Sequence, residues 1–178
     1  MSNKIQVFDL SNTSDISLTS DGFKKEGDSC KYVCKITGAT IAFVGDNSKF
    51  TTDKKKLCND ITITLPKEQS ENLCALLDAT EKDMLPYRTN DNDEVLFKVK
   101  MRPDMRIMDK DKKPIRINIM DVPCIALRDY KEATVDIALT GVSKEFDTED
   151  GGVISFTTLT ATQMKVIDKD NECDYDIL

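Results

Sequence analysis

The residue types that most often perform catalysis or hold metal ions are absent from this sequence or are spaced unfavourably. Histidine is missing altogether, which removes the most frequent general acid or base and the usual partner of a nucleophilic serine or cysteine. Cys30 and Cys34 form a CxxxC pair, but no second close pair completes the spacing of a zinc site. We therefore expect no metal, no cofactor and no enzymatic activity.

Acidic residues occur in groups that superficially suggest cation sites. The loop that begins at Asp109 starts like a calcium-binding loop, but its sixth position is Pro114 and its twelfth is Met120, where such a loop needs glycine and glutamate. Asp91 and Asp93 could hold a divalent ion for nuclease chemistry. A metal-dependent nuclease is nevertheless the least favoured of three function classes, because acids in turns are usually only solvated.

Basic residues, in contrast, are concentrated in one part of the chain. Between Lys98 and Lys131 the sequence has ten basic and five acidic residues, although the whole chain has a net charge of −7. In the segment EVLFKVKMR, apolar residues alternate with Lys98, Lys100 and Arg102, so a strand would place these bases together on one face. This pattern predicts a groove for the phosphates of single-stranded nucleic acid, unless the bases only solvate a half-buried sheet.

The candidate nucleic-acid contacts comprise these bases and two tyrosines on which nucleic-acid bases could stack. Phe97 and Phe156, by contrast, are assigned to the core, where aromatic side chains most often lie. The full candidate set is Lys98, Lys100, Arg102, Arg106, Lys110, Lys112, Lys113, Arg116, Arg128, Lys131, Tyr87 and Tyr130.

The elements that must position these residues are mostly strands, because apolar and polar residues alternate repeatedly along the chain, with turn residues between the runs. One segment instead has helical spacing and predicts an amphipathic helix from roughly Pro66 to Met84, with proline as a favourable first helical residue. The candidate strands are Lys31 to Ile36, Ala39 to Val44, Asp60 to Leu65, Glu94 to Arg102, Ile115 to Ile119, Ala133 to Val142 and Val153 to Ile167.

This pattern predicts a mainly β fold. Five to seven strands with one helix between them match a five-stranded antiparallel barrel of the oligonucleotide/oligosaccharide-binding (OB) type, elaborated with extra strands. We expect this domain to span residues 1–167, with a partly flexible arm in residues 1–25. Neither a signal peptide nor the roughly 20 apolar residues of a membrane span is present, which predicts an intracellular protein.

The C-terminal residues 168–178, DKDNECDYDIL, combine acidic residues with an apolar end, and we expect a disordered acidic tail. A peptide of this kind can dock into a basic pocket of a partner or fold over the basic groove of its own chain. Alternatively, it only keeps the chain soluble. Its candidate partner-binding residues are Asp174, Tyr175, Asp176, Ile177 and Leu178.

The half of the chain from Leu85 to Ile167 resembles a known family. Its segments LFKVKMRPDMRIMDKDKKPI and ATVDIALTGVSKEFDTEDGGVISFTTLTATQMKVI, followed by the acidic tail, are similar to the OB-fold single-stranded DNA-binding proteins of tailed phages and large DNA viruses. The shared features are a lysine-rich strand, a charged hairpin, a strand with small residues, and a glycine-containing turn before a final Val-Ile pair. In this sequence they are Lys98 and Lys100, Lys110 through Lys113, Val135 through Gly141, and Gly151, Gly152, Val166 and Ile167.

The resemblance implies binding of single-stranded DNA with little sequence preference, in viral or phage DNA replication and recombination. It also implies that the tail contacts replication or recombination proteins and that the chain forms a homodimer, at sites of DNA replication in the cytoplasm or nucleus of the host cell. A function from another class remains open: a non-enzymatic viral structural or protein-interaction module with a β-sandwich fold, whose charged face is only solubilising.

Overall fold

The chain forms nine strands and one helix in the part that the structure describes. The computed structural model describes residues 5–46, 59–111 and 132–168. The mainly β fold that the sequence predicts is therefore confirmed. In chain order the elements are β1 (Ile5–Asp9), β2 (Ile16–Thr19), β3 (Gly22–Lys25), β4 (Lys31–Asp46), β5 (Asn59–Thr64), α1 (Lys67–Asp78), β6 (Tyr87–Thr89), β7 (Val95–Met108), β8 (Thr134–Asp147) and β9 (Val153–Asp168).

Five of these strands close into a barrel. β4 pairs with β5, β5 with β7, β7 with β9 and β9 with β8, and β8 pairs with β4 again. Four pairings are antiparallel, whereas β7 and β9 run parallel, with Val99 opposite Leu159. β4 bends at Gly38, where a φ of 76° suits glycine and the register with β8 shifts between Ile36 and Ala39. A closed five-stranded barrel of this kind is the core of the OB fold, as the sequence predicts.

The inside of the barrel holds the core. Alternate residues of each strand point inward, and Phe97 and Val99 of β7 are fully buried in this way. Burial of one large apolar side chain stabilises a fold by about 1.5–3 kcal/mol. Helix α1 adds Leu73 and Leu77 to the same core. Phe97 is thus a core residue as predicted, whereas Phe156 is only half-buried, because it lies on the outer side of β9.

Helix α1 is shorter than the sequence predicts, since it ends at Asp78 and not near Met84. The hydroxyl of Thr80 donates over 2.6 Å to a carbonyl oxygen of the last helical turn, and Glu81 adopts a left-handed conformation with φ 56°, so the backbone leaves the helical path. The amide of Met84 then donates to the carbonyl oxygen of Ser155 over 3.2 Å. Residues 79–86 therefore form a connection that reaches β9, and not the last turns of a helix.

The first 25 residues contribute three strands, where the sequence predicts a partly flexible arm. β1 runs parallel to β4, with Val7 opposite Val33, and the β2–β3 hairpin joins β4 where Phe23 lies opposite Tyr32. Phe8 and Phe23 pack edge to face with their ring centroids 5.1 Å apart. Aromatic packing therefore attaches these strands to the barrel.

Several strand boundaries also differ from those that alternation predicts. The two strands expected on either side of Gly38 form one bent strand, β4, because glycine lets the chain bend without losing its pairing. β7 and β8 continue past the ends expected for them, and the short strand β6 was not predicted. The strand expected from Ile115 to Ile119 lies outside the described residues.

Candidate nucleic-acid interface

Two lysines of the predicted set lie on the outside of the barrel. In β7, buried apolar residues alternate with Lys98 and Lys100, which are exposed. Lys98 lies opposite Thr62 of β5, and Lys100 lies between Asp60 of β5 and Thr160 of β9. Both lysine side chains are therefore accessible from solvent on the outer face of the sheet.

The charges of these lysines are only weakly compensated. Nζ of Lys98 lies 3.5 Å from Oδ2 of Asp60, and the two side chains are 63% and 36% exposed. A pair this exposed contributes about 0–1 kcal/mol, so a phosphate can displace the carboxylate at small cost. Lys100 lies opposite the same Asp60 in register but forms no ion pair with it or with another described residue.

An exposed aromatic ring extends this surface onto β4. Ile41 lies opposite Ile63 of β5, but Phe43 lies opposite Thr62, so β4 contains one extra residue at this point. Such a β-bulge re-aims a side chain, and Phe43 is 60% exposed. Phe43, Thr62 and Lys98 thus occupy neighbouring positions on three adjacent strands, and two strand spacings place the first and last residues about 10 Å apart. An aromatic ring and a cation are the two groups that hold single-stranded nucleic acid.

We refer to Phe43, Thr62, Lys98 and Lys100 as the barrel face. Sequence reasoning found its two lysines from alternation but missed Phe43, because regular alternation from Ile41 would point that ring inward. A bulge leaves no clear trace in a short run such as TIAFVGD. Only the register between β4 and β5 identifies Phe43 as an outward residue.

Tyr87, a predicted stacking residue, lies on the opposite side of the sheet from these lysines. It is paired with Phe97 of β7, and the two ring centroids are 5.9 Å apart, so its ring faces the core. Its hydroxyl donates a hydrogen bond to Asp78 of α1, which, together with partial burial, raises the pKa of Tyr87 to about 12. The structure therefore does not bring Tyr87 to the barrel face.

The remaining predicted contacts are described in part or not at all. Lys110 is exposed in the turn after β7. Arg102 and Arg106 belong to the backbone of β7, but their side chains lie outside the described part of the structure. The other predicted residues, which also lie outside the described ranges, are Lys112, Lys113, Arg116, Arg128, Lys131, Tyr130, Asp174, Tyr175, Asp176, Ile177 and Leu178.

Among the described residues, potential metal ligands are dispersed and two cysteine thiols have raised pKa values. No group of three or more potential metal ligands occurs among them. Burial raises the pKa of Cys34 to about 12 and that of Cys74 to about 11, so neither thiol supplies a thiolate nucleophile near neutral pH. Over residues 5–46, 59–111 and 132–168, no helix is long and apolar enough to cross a membrane.

The closed five-stranded barrel has the strand order of the OB fold. Solved structures of phage proteins share this fold. One is gp2.5, a single-stranded DNA-binding protein encoded by bacteriophage T7, with a TM-score of 0.53 and 9% sequence identity over 82% of this chain and 97% of that chain. Another is the single-stranded DNA-binding protein from bacteriophage Enc34 in complex with ssDNA, with a TM-score of 0.55 and 9% identity over 87% of this chain and 96% of that chain. No protein-family model and no curated protein sequence matches the chain.

Proposed function

We propose that this chain binds single-stranded DNA through the barrel face, with little sequence preference and without catalysing a reaction. The observation that carries the proposal is the outward row of Phe43, Thr62 and Lys98 on three adjacent strands. This row offers an aromatic ring and a positive charge about 10 Å apart on a sheet surface. A single strand has a base and a phosphate to match these two groups.

The two ends of the row suit different parts of a nucleotide. Lys98 and Lys100 are placed for phosphates, and contacts of this kind are driven by the release of condensed counterions. Phe43 offers a ring for stacking, which contributes about 1–3 kcal/mol per base and tolerates every base. Because neither group reads base edges, the interface favours single strands of many sequences.

The fold supports the same proposal. OB barrels bind oligonucleotides on the face of their second and third strands, which here are β5 and β7. The phage proteins that share the fold at 9% identity are named as single-stranded DNA-binding proteins, and the Enc34 protein was solved with ssDNA. We therefore extend the proposal to a viral or phage protein of DNA replication or recombination, which acts inside the host cell where single strands are exposed.

The acidic tail is a separate part of the proposal. Its combination of acidic residues and an apolar end suits docking into a basic pocket of a replication or recombination protein, and homodimer formation belongs to the same proposal. An acidic peptide also competes with DNA for lysines. We therefore expect a chain that ends at Ile167 to bind single-stranded DNA more tightly than the full chain and to lose contact with the partner.

The deciding experiment is a fluorescence-anisotropy titration of labelled oligo(dT), with duplex competitor, at low and moderate salt. We expect binding that salt weakens and duplex DNA does not displace. The matched control variant is Lys67→Ala, which removes an exposed lysine of α1 and should bind like the wild type. Binding that is absent or insensitive to salt would contradict the proposal, and a stable oligomer of defined size without DNA affinity would favour a structural module.

A further inference from the structure

An acid, Asp60, lies in the middle of the barrel face. On β5 it lies opposite Gly45 of β4 on one side and opposite Lys100 of β7 on the other. Its neighbour Ile61 is fully buried, so Asp60 points outward, on the same side of the sheet as Lys100. A carboxylate at this position repels phosphates. Holding the DNA backbone therefore does not explain why an acid is present here.

The ion pair with Lys98 uses only part of what the carboxylate of Asp60 can accept. Oδ2 of Asp60 lies 3.5 Å from Nζ of Lys98, whereas a hydrogen bond of good geometry is about 2.7–3.2 Å long. Within the described part of the chain, no hydrogen bond to Oδ1 of Asp60 is present. Because an ionised carboxylate has about four acceptor positions, both oxygens can still accept hydrogen bonds from a ligand.

The exposed ring of Phe43 lies next to this carboxylate. Phe43 is opposite Thr62, two positions along β5 from Asp60, and such diagonal neighbours are about 7–8 Å apart. The residue of β4 that lies directly opposite Asp60 is Gly45, which has no side chain. Strand β4 therefore places no side chain between the ring and the carboxylate, and a base stacked on Phe43 can turn one edge toward Asp60.

We infer that Asp60 accepts hydrogen bonds from the Watson–Crick edge of the base stacked on Phe43 and that it selects guanine at this one position. The inference rests on the proposed function and adds a base preference to it. In single strands the Watson–Crick edges are open to proteins. An ionised carboxylate only accepts hydrogen bonds, so it selects the base with the most suitable donors.

Guanine is the base whose donors match a carboxylate. Its ring N1–H and its 2-amino group lie side by side, so each can donate to one oxygen of Asp60. Adenine and cytosine present one amino group beside an acceptor nitrogen, and thymine presents one N–H between two carbonyl oxygens. These acceptors repel a carboxylate, which makes only one hydrogen bond to each of the three bases.

The expected preference is modest. A good bidentate contact discriminates against the wrong base by roughly 5- to 150-fold. Since the side chain of Asp60 is 36% exposed, we expect the lower end of this range, about fivefold. Stacking on Phe43 and the charges of Lys98 and Lys100 act on every sequence, so the chain still binds strands of many sequences.

The first test varies the DNA and uses the full chain. Anisotropy titrations compare thymine oligonucleotides of about 16 nucleotides, a site size of OB folds, in which every third base is replaced by one test base. Guanine should bind about fivefold more tightly than adenine, which is the matched control because both are purines that stack. Hypoxanthine lacks the 2-amino group and 1-methylguanine lacks the N1–H donor. Both should therefore bind like adenine.

The second test changes Asp60 and measures the ratio of the affinities for the guanine and adenine oligonucleotides. Asp60→Asn keeps the size of the side chain but replaces one acceptor with an amide donor, so the ratio should fall to about one. Any effect of the lost charge on phosphates is the same for both oligonucleotides and cancels in the ratio. The matched control is Asp136→Asn, which removes an acid paired with Lys165 elsewhere on the barrel and should keep the wild-type ratio.

The outcomes separate this inference from the proposed function. Equal wild-type affinities for guanine and adenine would overturn the role of Asp60 and leave binding by the barrel face intact. A guanine preference that persists in Asp60→Asn, or that 1-methylguanine shares, would also overturn it. The same holds if Asp60→Asn changes both affinities equally, because Asp60 would then only position Lys98. If the wild type binds none of the oligonucleotides, the proposed function itself fails, and the base preference fails with it.

Discussion

Two outer surfaces of the barrel use their charges differently. The barrel face is open and presents Lys98 and Lys100, which share one neighbouring acid: Asp60 pairs weakly with Lys98 and lies opposite Lys100 in register. The second surface is a groove of about 740 Å³ between β1 and the outer sides of β4, β8 and β9. Its lining includes the apolar residues Ile5 and Val7 and the charged residues Lys35, Asp136 and Lys165.

Each of the two lysines of the groove has an acid of its own beside it. Lys165 pairs with Asp136 at 3.9 Å, and Lys35 lies opposite Asp9 of β1, whose pKa is lowered mainly by hydrogen bonds from Ser11. The groove therefore offers an anion less net positive charge than the barrel face does, because two lysines share one acid on the barrel face and have two acids in the groove. The barrel face suits DNA better than the groove because its lysine charges are less compensated by acids, and not because it is deeper.

The largest expected effect comes from removing the lysines of each surface in turn. Lys98→Ala/Lys100→Ala should weaken binding of oligo(dT) about 100-fold at low salt, since a hydrogen bond to a charged group contributes about 1.5 kcal/mol or more and 1.4 kcal/mol is about tenfold. Loss of two phosphate contacts should also reduce the salt slope by about 1.4. Lys35→Ala/Lys165→Ala should bind within about twofold of the wild type. If fluorescence anisotropy shows the same loss of oligo(dT) affinity in both double variants, the two surfaces do not differ in DNA binding and the comparison is wrong.

The next largest effect tests the exposed apolar side chain of each surface. Phe43→Ala should bind about tenfold more weakly, because it loses one stacked base, whereas Val7→Ala in the groove should bind like the wild type. Phe43→Trp keeps an aromatic ring for stacking, so it should bind oligo(dT) at least as tightly as the wild type. Thermal unfolding of each variant checks that the fold is kept, and a tenfold loss in Val7→Ala would assign the DNA to the groove.

These aromatic residues show where prediction from sequence ends. The alternation of β7 is regular, so it predicted both the buried Phe97 and the outward Lys98 and Lys100 correctly. Phe43 and Phe156 required the register between strands: a bulge turns the first outward, and the second lies on the outer side of β9. The register between two strands depends on residues that are far apart in the sequence, so the alternation within one strand does not predict it.

The helix and the N-terminal strands show the same limit. Helical spacing continued beyond Asp78, but the left-handed backbone at Glu81 diverts the chain toward β9. β1 has apolar residues on both of its faces, since Val7 is exposed while Phe8 is buried, so alternation was not visible there. The closed barrel was nevertheless predictable, because its long strands each alternate over many residues.

A smaller effect concerns the acid that pairs with Lys98. Asp60→Asn should bind oligo(dT) about two- to threefold more tightly at low salt, because an exposed ion pair contributes under about 1 kcal/mol and its loss leaves Lys98 to the phosphate. The gain should fade at higher salt, where screening weakens the original pair. Asp136→Asn should leave the affinity unchanged, since its partner Lys165 lies in the groove. Weaker binding by Asp60→Asn in the same titration would mean that the carboxylate positions Lys98 for DNA.

The smallest effect on DNA is expected at Tyr87, which faces the core beside Asp78. Tyr87→Phe should bind oligo(dT) like the wild type, and its free energy of unfolding should fall by about 0.5–1 kcal/mol, the contribution of one hydrogen bond. The pKa of Tyr87 is raised from 10.0 to about 12 in the folded chain, so this stabilisation is complete below pH 10 and disappears as the pH rises through 12. Urea unfolding should therefore show the wild type and the variant converging over that window. A loss of DNA affinity in Tyr87→Phe would instead place the strand on the side of the sheet that carries α1, and the barrel face would no longer explain binding.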